Sequence, residues 1–166
     1  MNLMEKRIYL EKFTSEDFDK YYELVGNEEV MAMITRQAIP LDEATRNYNL
    51  RLSNNELHKS FGNFKVMEFT TNKFIGSALL RVKEKSSREA ELGYMLLPSY
   101  WGKGIGSEVA KLLVEKAKEE RQLNKIIAII DPNNISSRKI LINNGFISDK
   151  VCEIDGLPGE ILSMEI

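Results

Sequence analysis

The chain has a single cysteine, Cys152, in 166 residues. That excludes an internal disulfide framework and fits a reducing compartment. No apolar run reaches the roughly 18 residues that a membrane-spanning helix needs, and residues 1–7 carry no apolar stretch of the kind a secretion signal requires. A cytoplasmic protein without a membrane partner is expected. Charge of one sign is also missing. With 23 Lys and Arg against 25 Asp and Glu, the net charge is −2, which gives no global drive towards nucleic acid or an anionic membrane. The one histidine, His58, lies in a polar loop and reads as solvated rather than catalytic. No repeat, linker or low-complexity segment divides the chain, so residues 1–166 read as one domain, long enough to bury a real core.

What is present alternates between strand and helix patterns. Residues 7–10 read as a short opening strand. Thr14 reads as a helix N-cap with Asp17 at the capping-box position, and Phe13 and Phe18 have the spacing of a hydrophobic staple. The helix that follows presents Phe18, Tyr21, Tyr22 and Val25 on one side, and a second helix is expected from residue 42 to about 57. Residues 64–70 and 74–82 alternate as two strands about a polar turn. The charged run 83–89 is a solvated loop. Residues 90–97 form a third strand, ended by Pro98, which cannot donate to a ladder. Ile105, Val109, Leu112, Leu113 and Ala117 recur at helical spacing in a helix reaching Arg121. The β-branched run 126–130, with no polar alternation, predicts a strand buried on both faces. A turn at 131–134 leads into a short helix over 136–144, closed by Gly145 at C′. Residues 146–154 and 161–166 make a final strand pair around 155–159. The class is α/β.

The most informative stretch is Trp101-Gly102-Lys103-Gly104-Ile105-Gly106-Ser107, between the third strand and its helix. Glycines at alternate positions leave the backbone bare where helix N–H groups lack intrahelical partners. Such a site suits phosphate oxygens, through free amides and the helix dipole. Two familiar phosphate motifs fail here. A P-loop would need glycine at Leu97 and a hydroxyl residue at Gly104; the dinucleotide fingerprint would need glycine at Ser107.

The stretch resembles the acetyl-CoA loop of the GNAT N-acetyltransferase superfamily, Arg/Gln-x-x-Gly-x-Gly/Ala, with Trp101 first and Gly104 and Gly106 at the glycine positions. Asn134-x-x-Ser137, followed by Gly145-Phe146, resembles a second family segment. Glu91-Leu92-Gly93-Tyr94 and Ile75-Gly76-x-x-x-Leu80 match on the preceding strands. In detail, Trp-Gly-Lys-Gly with Ser137 is similar to the branch that includes ribosomal-protein N-terminal (alanine/serine) acetyltransferases. The resemblance implies a mixed, mostly antiparallel central sheet flanked by helices (α+β) and splayed at the donor site. It implies acetyl-CoA as acyl donor, no metal, and a primary amine as acceptor. That amine is a protein N-terminal α-amine or, as the alternative, a small-molecule amine such as a polyamine or antibiotic. A catalytically silent CoA-binding regulatory module is the rival from another class. Monomer and homodimer stay open.

The same resemblance assigns roles. Glu91 is the candidate base, directly or through water, against the plain alternative of an exposed strand-end glutamate. Backbone amides of Met95, Leu96 and Leu97 would hold the oxyanion and the pantetheine, with a bulge beside Pro98 splaying the strand. Gly102, Lys103, Gly104, Ile105, Gly106 and Ser107 would hold the diphosphate. Ser137 would bond the sulfur and help protonate the thiolate. Asn134 would bond the pantetheine chain, against its plain use as a turn and N-cap residue. Tyr94 reads as core rather than acid, Cys152 as packing. The acceptor would lie against residues 25–62, whose Glu28, Glu29, Arg36, Glu43 and Glu56 are a mixed set. Two positions depart from the family. Trp101 replaces a polar residue, and Leu141 stands where many relatives carry a tyrosine acid.

Overall fold

The computed structural model describes residues 6–166; residues 1–5, the first part of the segment expected to lack a signal, lie outside it. Seven strands form one sheet: β1 (Ile8–Lys12), β2 (Gly62–Glu68), β3 (Phe74–Arg81), β4 (Glu89–Leu96), β5 (Lys125–Ile130), β6 (Ile147–Ile154) and β7 (Leu157–Glu165). Their order is β1-β2-β3-β4-β5-β7-β6, and every neighbouring pair is antiparallel except β4 with β5. The mixed, mostly antiparallel sheet flanked by helices is the fold expected.

Strand alternation sends one set of side chains to each face, and helices cover both. On one face α4 (Ile105–Lys118) buries Val109, Leu113 and Ala117 against Val66, Leu80, Leu92, Ile126 and Leu162. Leu141 of α5 (Ile135–Asn143) joins the same core. On the other face α1 (Phe18–Val25), the short α2 (Glu28–Met31) and α3 (Leu41–Asn55) enclose Tyr21, Leu24, Val25, Val30 and Tyr48 with Phe13.

Several local features differ from the sequence pattern. The first helix starts at Phe18, not after Thr14. Asp17 is turned back, accepting the Thr14 N–H at 2.9 Å and its hydroxyl at 3.0 Å, so the capping pair closes a tight turn ahead of the helix. Phe13 meets Tyr21, Tyr48 and Phe74 edge-on, in place of the staple with Phe18. β5 is buried on one face only. Ile126 and Ala128 are sealed under α4, whereas Ile129 is 40% exposed, because α1 and α3 pack on β3 and β2 and leave this side of β5 open. The last hairpin turns on Asp155 and Gly156 alone, both at positive φ, so Pro158 and Gly159 belong to β7.

Candidate active site

The parallel pair sets the site. β4 and β5 are registered only from Glu89↔Lys125 to Glu91↔Ile127. Beyond Glu91, β4 stays on β3 as far as Leu96↔Gly76, while β5 stays on β7 as far as Ile130↔Glu160. The two strands part like a fork with Glu91 at its vertex. No bulge beside Pro98 is needed, because β4 keeps regular register with β3 throughout. A cavity of about 1020 Å³ runs through the fork, walled by β4, β5, α5, the glycine loop and the segment around α2.

Parting leaves backbone groups unpaired. The Leu97 N–H donates to the Ile75 carbonyl at 2.9 Å. Antiparallel amides alternate between sides, so Met95 and Gly93 also turn to β3, and Tyr94 and Leu96 turn into the gap. Of the expected trio, only Leu96 keeps a free amide for a ligand. Met95 still lines the cavity, and Leu97 packs instead among the α1–α3 side chains.

The glycine loop lies at the far end. Gly102 and Gly104 have φ of +72° and +78°, which a side chain rarely adopts. The first helical bond of α4 is Glu108 N–H to the Gly104 carbonyl at 3.3 Å, so the amides of Ile105, Gly106 and Ser107 are left for a ligand. Gly102, Gly104, Ile105, Gly106 and Ser107 all line the cavity. Lys103 does not: its ammonium lies over the Tyr100 ring, 5.6 Å from the centroid. Trp101 is 44% exposed, and its indole N–H donates to the Leu96 carbonyl at 2.8 Å. It is therefore both a cavity wall and the partner of a carbonyl that the fork would otherwise orphan.

Arg7 is a site residue that sequence spacing could not reveal. Its guanidinium donates to the Lys103 carbonyl at 2.7 Å and pairs with Glu108 at 2.9 Å, bracing the loop from β1's side. Nothing local marks a contact made across 96 residues of chain.

Around the chemistry, Glu91 lines the cavity with its carboxylate paired to Arg81 at 2.5 Å. Asn134 caps α5, accepting the Ser137 N–H at 3.1 Å, so its plain turn-and-cap role is real and its amide nitrogen remains for other use. Asn134 and Ser137 both line the cavity. Arg138, the next residue along α5, pins the helix to β7 by donating through Nε at 3.0 Å to Glu160, which is 2% exposed. That hydrogen bond outweighs burial and holds the Glu160 carboxyl below the usual carboxylate range. Leu141 is 1% exposed and part of the core. His58 is half-buried rather than solvated: it stacks on Phe61 and accepts the Ser60 N–H at 3.0 Å, away from the cavity. Cys152, on β6, is a free thiol outside the cavity lining. Among the described residues no cluster of three His, Cys, Asp or Glu could hold a metal ion, and no helix is long and apolar enough to cross a membrane.

A forked sheet with a free-amide loop at one end and a carboxylate at its vertex defines the class of an acyl-CoA-dependent transferase. The comparisons make it specific. Residues 7–147 match the model of the acetyltransferase (GNAT) domain, and the chain belongs to that family. It is 26% identical over 144 residues, 87% of this chain and 81% of the other, to the uncharacterized N-acetyltransferase p20 of Bacillus licheniformis. The fold matches spermidine N-acetyltransferase from Vibrio cholerae, solved with CoA and spermine, at a TM-score of 0.79 and 18% identity, over 96% of this chain and 95% of that one. It also matches aminoglycoside acetyltransferase AAC(6')-Ib in complex with coenzyme A, at a TM-score of 0.78 and 17% identity, over 95% and 94% of the two chains. The protein is an acetyl-CoA-dependent N-acetyltransferase.

Proposed function

We propose that the acceptor is a protein N-terminal α-amine, acetylated by direct transfer from acetyl-CoA within the fork. The observation that carries this reading is the state of the cavity's carboxylates. Four of them line it: Glu29, Glu91, Asp131 and Asp155. Glu91 is spent on Arg81, and Asp131 on Arg36 at 2.7 Å. Arg51 and Arg81 line the same space. Meanwhile Met33, Ile34, Trp101 and Ile129, each at least 40% exposed, turn apolar surface into it. A polycation would need unpaired carboxylates, whereas a single amine beside an apolar side chain fits such a wall.

Amine pKa favours the same acceptor. At pH 7 about one α-amine in ten is neutral, against about one alkylammonium in 2,500. A larger neutral share at pH 7 means that an α-amine asks less of the base before it can attack. In this scheme Glu91 takes the proton through water. The Leu96 N–H and the free amides of the loop hold the carbonyl-bearing arm and the diphosphate. Ser137 donates towards the sulfur, and the Asn134 amide nitrogen faces the pantetheine.

The spermine bound in one structural relative, and the aminoglycoside acetyltransferase that is another, support a second reading, a small-molecule amine such as a polyamine or antibiotic; Glu29 and Asp155 are the carboxylates that favour it. Thiol release from acetyl-CoA separates the readings when peptides with free N-termini, polyamines and aminoglycosides are tested side by side, with products identified by mass spectrometry. Peptides with apolar first residues should be turned over best. Turnover confined to polycations would overturn the α-amine reading, and binding of acetyl-CoA without transfer to any amine would leave only a binding module.

A further inference from the structure

Among the described residues, the Tyr94 hydroxyl is the buried side-chain polar atom left without a hydrogen-bond partner. Buried hydroxyls are nearly always bonded, because desolvating one without compensation is costly. Tyr94 stands on β4 beyond the fork's vertex, paired in register with Ala78. Its ring lies under the start of α4, where a side chain in place of Gly106 would come within 3.5 Å of it. Tyr94 and Ser137 line one cavity. Burial pushes the phenol up, and the neighbouring Ser137 hydroxyl partly offsets this. Tyr94 therefore stays a phenol, close to the Ser137 hydroxyl yet with no hydrogen bond completed.

We propose that Tyr94 is a catalytic residue, donating to the leaving sulfur beside Ser137 and doing the work that relatives give to a tyrosine at the position of Leu141. The assignment rests on the acetyl-transfer reading above. In that step the amine nitrogen forms the new C–N bond as the C–S bond breaks, and the bonding pair leaves on sulfur. The proton shed by the amine equals the one the thiolate takes up, so no further reactant is required. Tyr94 and Ser137 spread the charge growing on sulfur by hydrogen bonding and are unchanged at the end. Leu141 lines the same cavity but has no donor to offer.

The test is Tyr94→Phe in the full chain, with Ser137→Ala and the double variant beside it. Tyr94→Phe should lower kcat about tenfold or more, while KM and Kd for acetyl-CoA stay within about twofold. Its melting temperature without ligand should rise, because an unmet hydroxyl has been removed. The double variant should lose less than the product of the single losses, as expected for two donors to one atom. A Tyr94→Phe kcat within twofold of wild type overturns the assignment, and so does a fall in kcat matched by a lower melting temperature and weaker acetyl-CoA binding, which marks plain packing. If wild type itself transfers acetyl to no amine, the functional reading falls first and this one with it. If wild type is active and Tyr94→Phe equally so, Tyr94 alone is wrongly placed.

Discussion

The indole N–H of Trp101 donates to the main-chain carbonyl of Leu96 at 2.8 Å, joining the glycine loop to the strand it leaves. Leu96 is the residue whose backbone turns away from β3 into the gap, so its carbonyl would otherwise face the cavity unbonded. An aromatic residue thus acts here through its one polar atom. Trp101→Phe keeps the ring and removes the donor. It should cost about 1 kcal/mol of stability and weaken acetyl-CoA binding severalfold as the loop loosens. Thermal unfolding and calorimetric titration measure the two effects; an unchanged Kd would show that the loop is held without Trp101.

Gly104 is the N-cap of α4 at φ +78°, and a Cβ there would sit 3.4 Å from the Arg7 guanidinium. Gly102, at φ +72°, has nothing within 4 Å. Both backbones resist a side chain, at roughly 1–2 kcal/mol each. Only at Gly104 does the new group also press on the residue that braces the loop. Gly104→Val should therefore lose more acetyl-CoA affinity than Gly102→Val at comparable loss of melting temperature. Equal Kd values for the two would remove the special place of Gly104.

Glu91 offers a cleaner test of chemistry than of binding. Glu91→Gln preserves shape and a hydrogen bond to Arg81 while removing the base. A kcat about 10²-fold lower or worse is expected, with acetyl-CoA Kd unchanged, because the loop and fork are untouched. A loss confined to KM would instead make Glu91 a residue that orients the acceptor.

The loop, the fork's strands and most helix limits were legible because local chemistry decides them. Gly104 and Gly106 sit at the cap and first turn of α4, where amides lack intrahelical partners, and Pro98 ends a strand by lacking a donor. What escaped was set by distant contact. The 126–130 run looks doubly buried, but whether Ile129 is covered depends on where α1–α3 stop. Asp17 does bond back to the Thr14 N–H and meets Lys65 at 3.0 Å as well, yet the helix starts only at Phe18. Leu97 looks like a ligand amide until strand register assigns its N–H to Ile75. The polar state of Tyr94 likewise exists only once α4 and α5 have closed over it.

Acid should weaken the fold through Asp17 and Glu160. Burial alone would raise the Asp17 carboxyl, but the Thr14 N–H, Lys65 and the Thr14 hydroxyl outweigh it, and its pKa ends below the ordinary value. The Arg138 hydrogen bonds do the same for Glu160, against burial and with help from the Ser148 hydroxyl. When the folded pKa is the lower one, the unfolded chain takes up protons first as pH falls. Each group's contribution is thus complete above the unfolded carboxylate value of about 4 and disappears as pH drops through the folded one. Glu160→Gln removes one of the two contributions at the outset. Its melting temperature should lie below wild type at pH 7, with the difference shrinking steadily below about pH 4. A difference that stays constant from pH 7 to pH 2.5 would show that Glu160 holds α5 by shape rather than by charge.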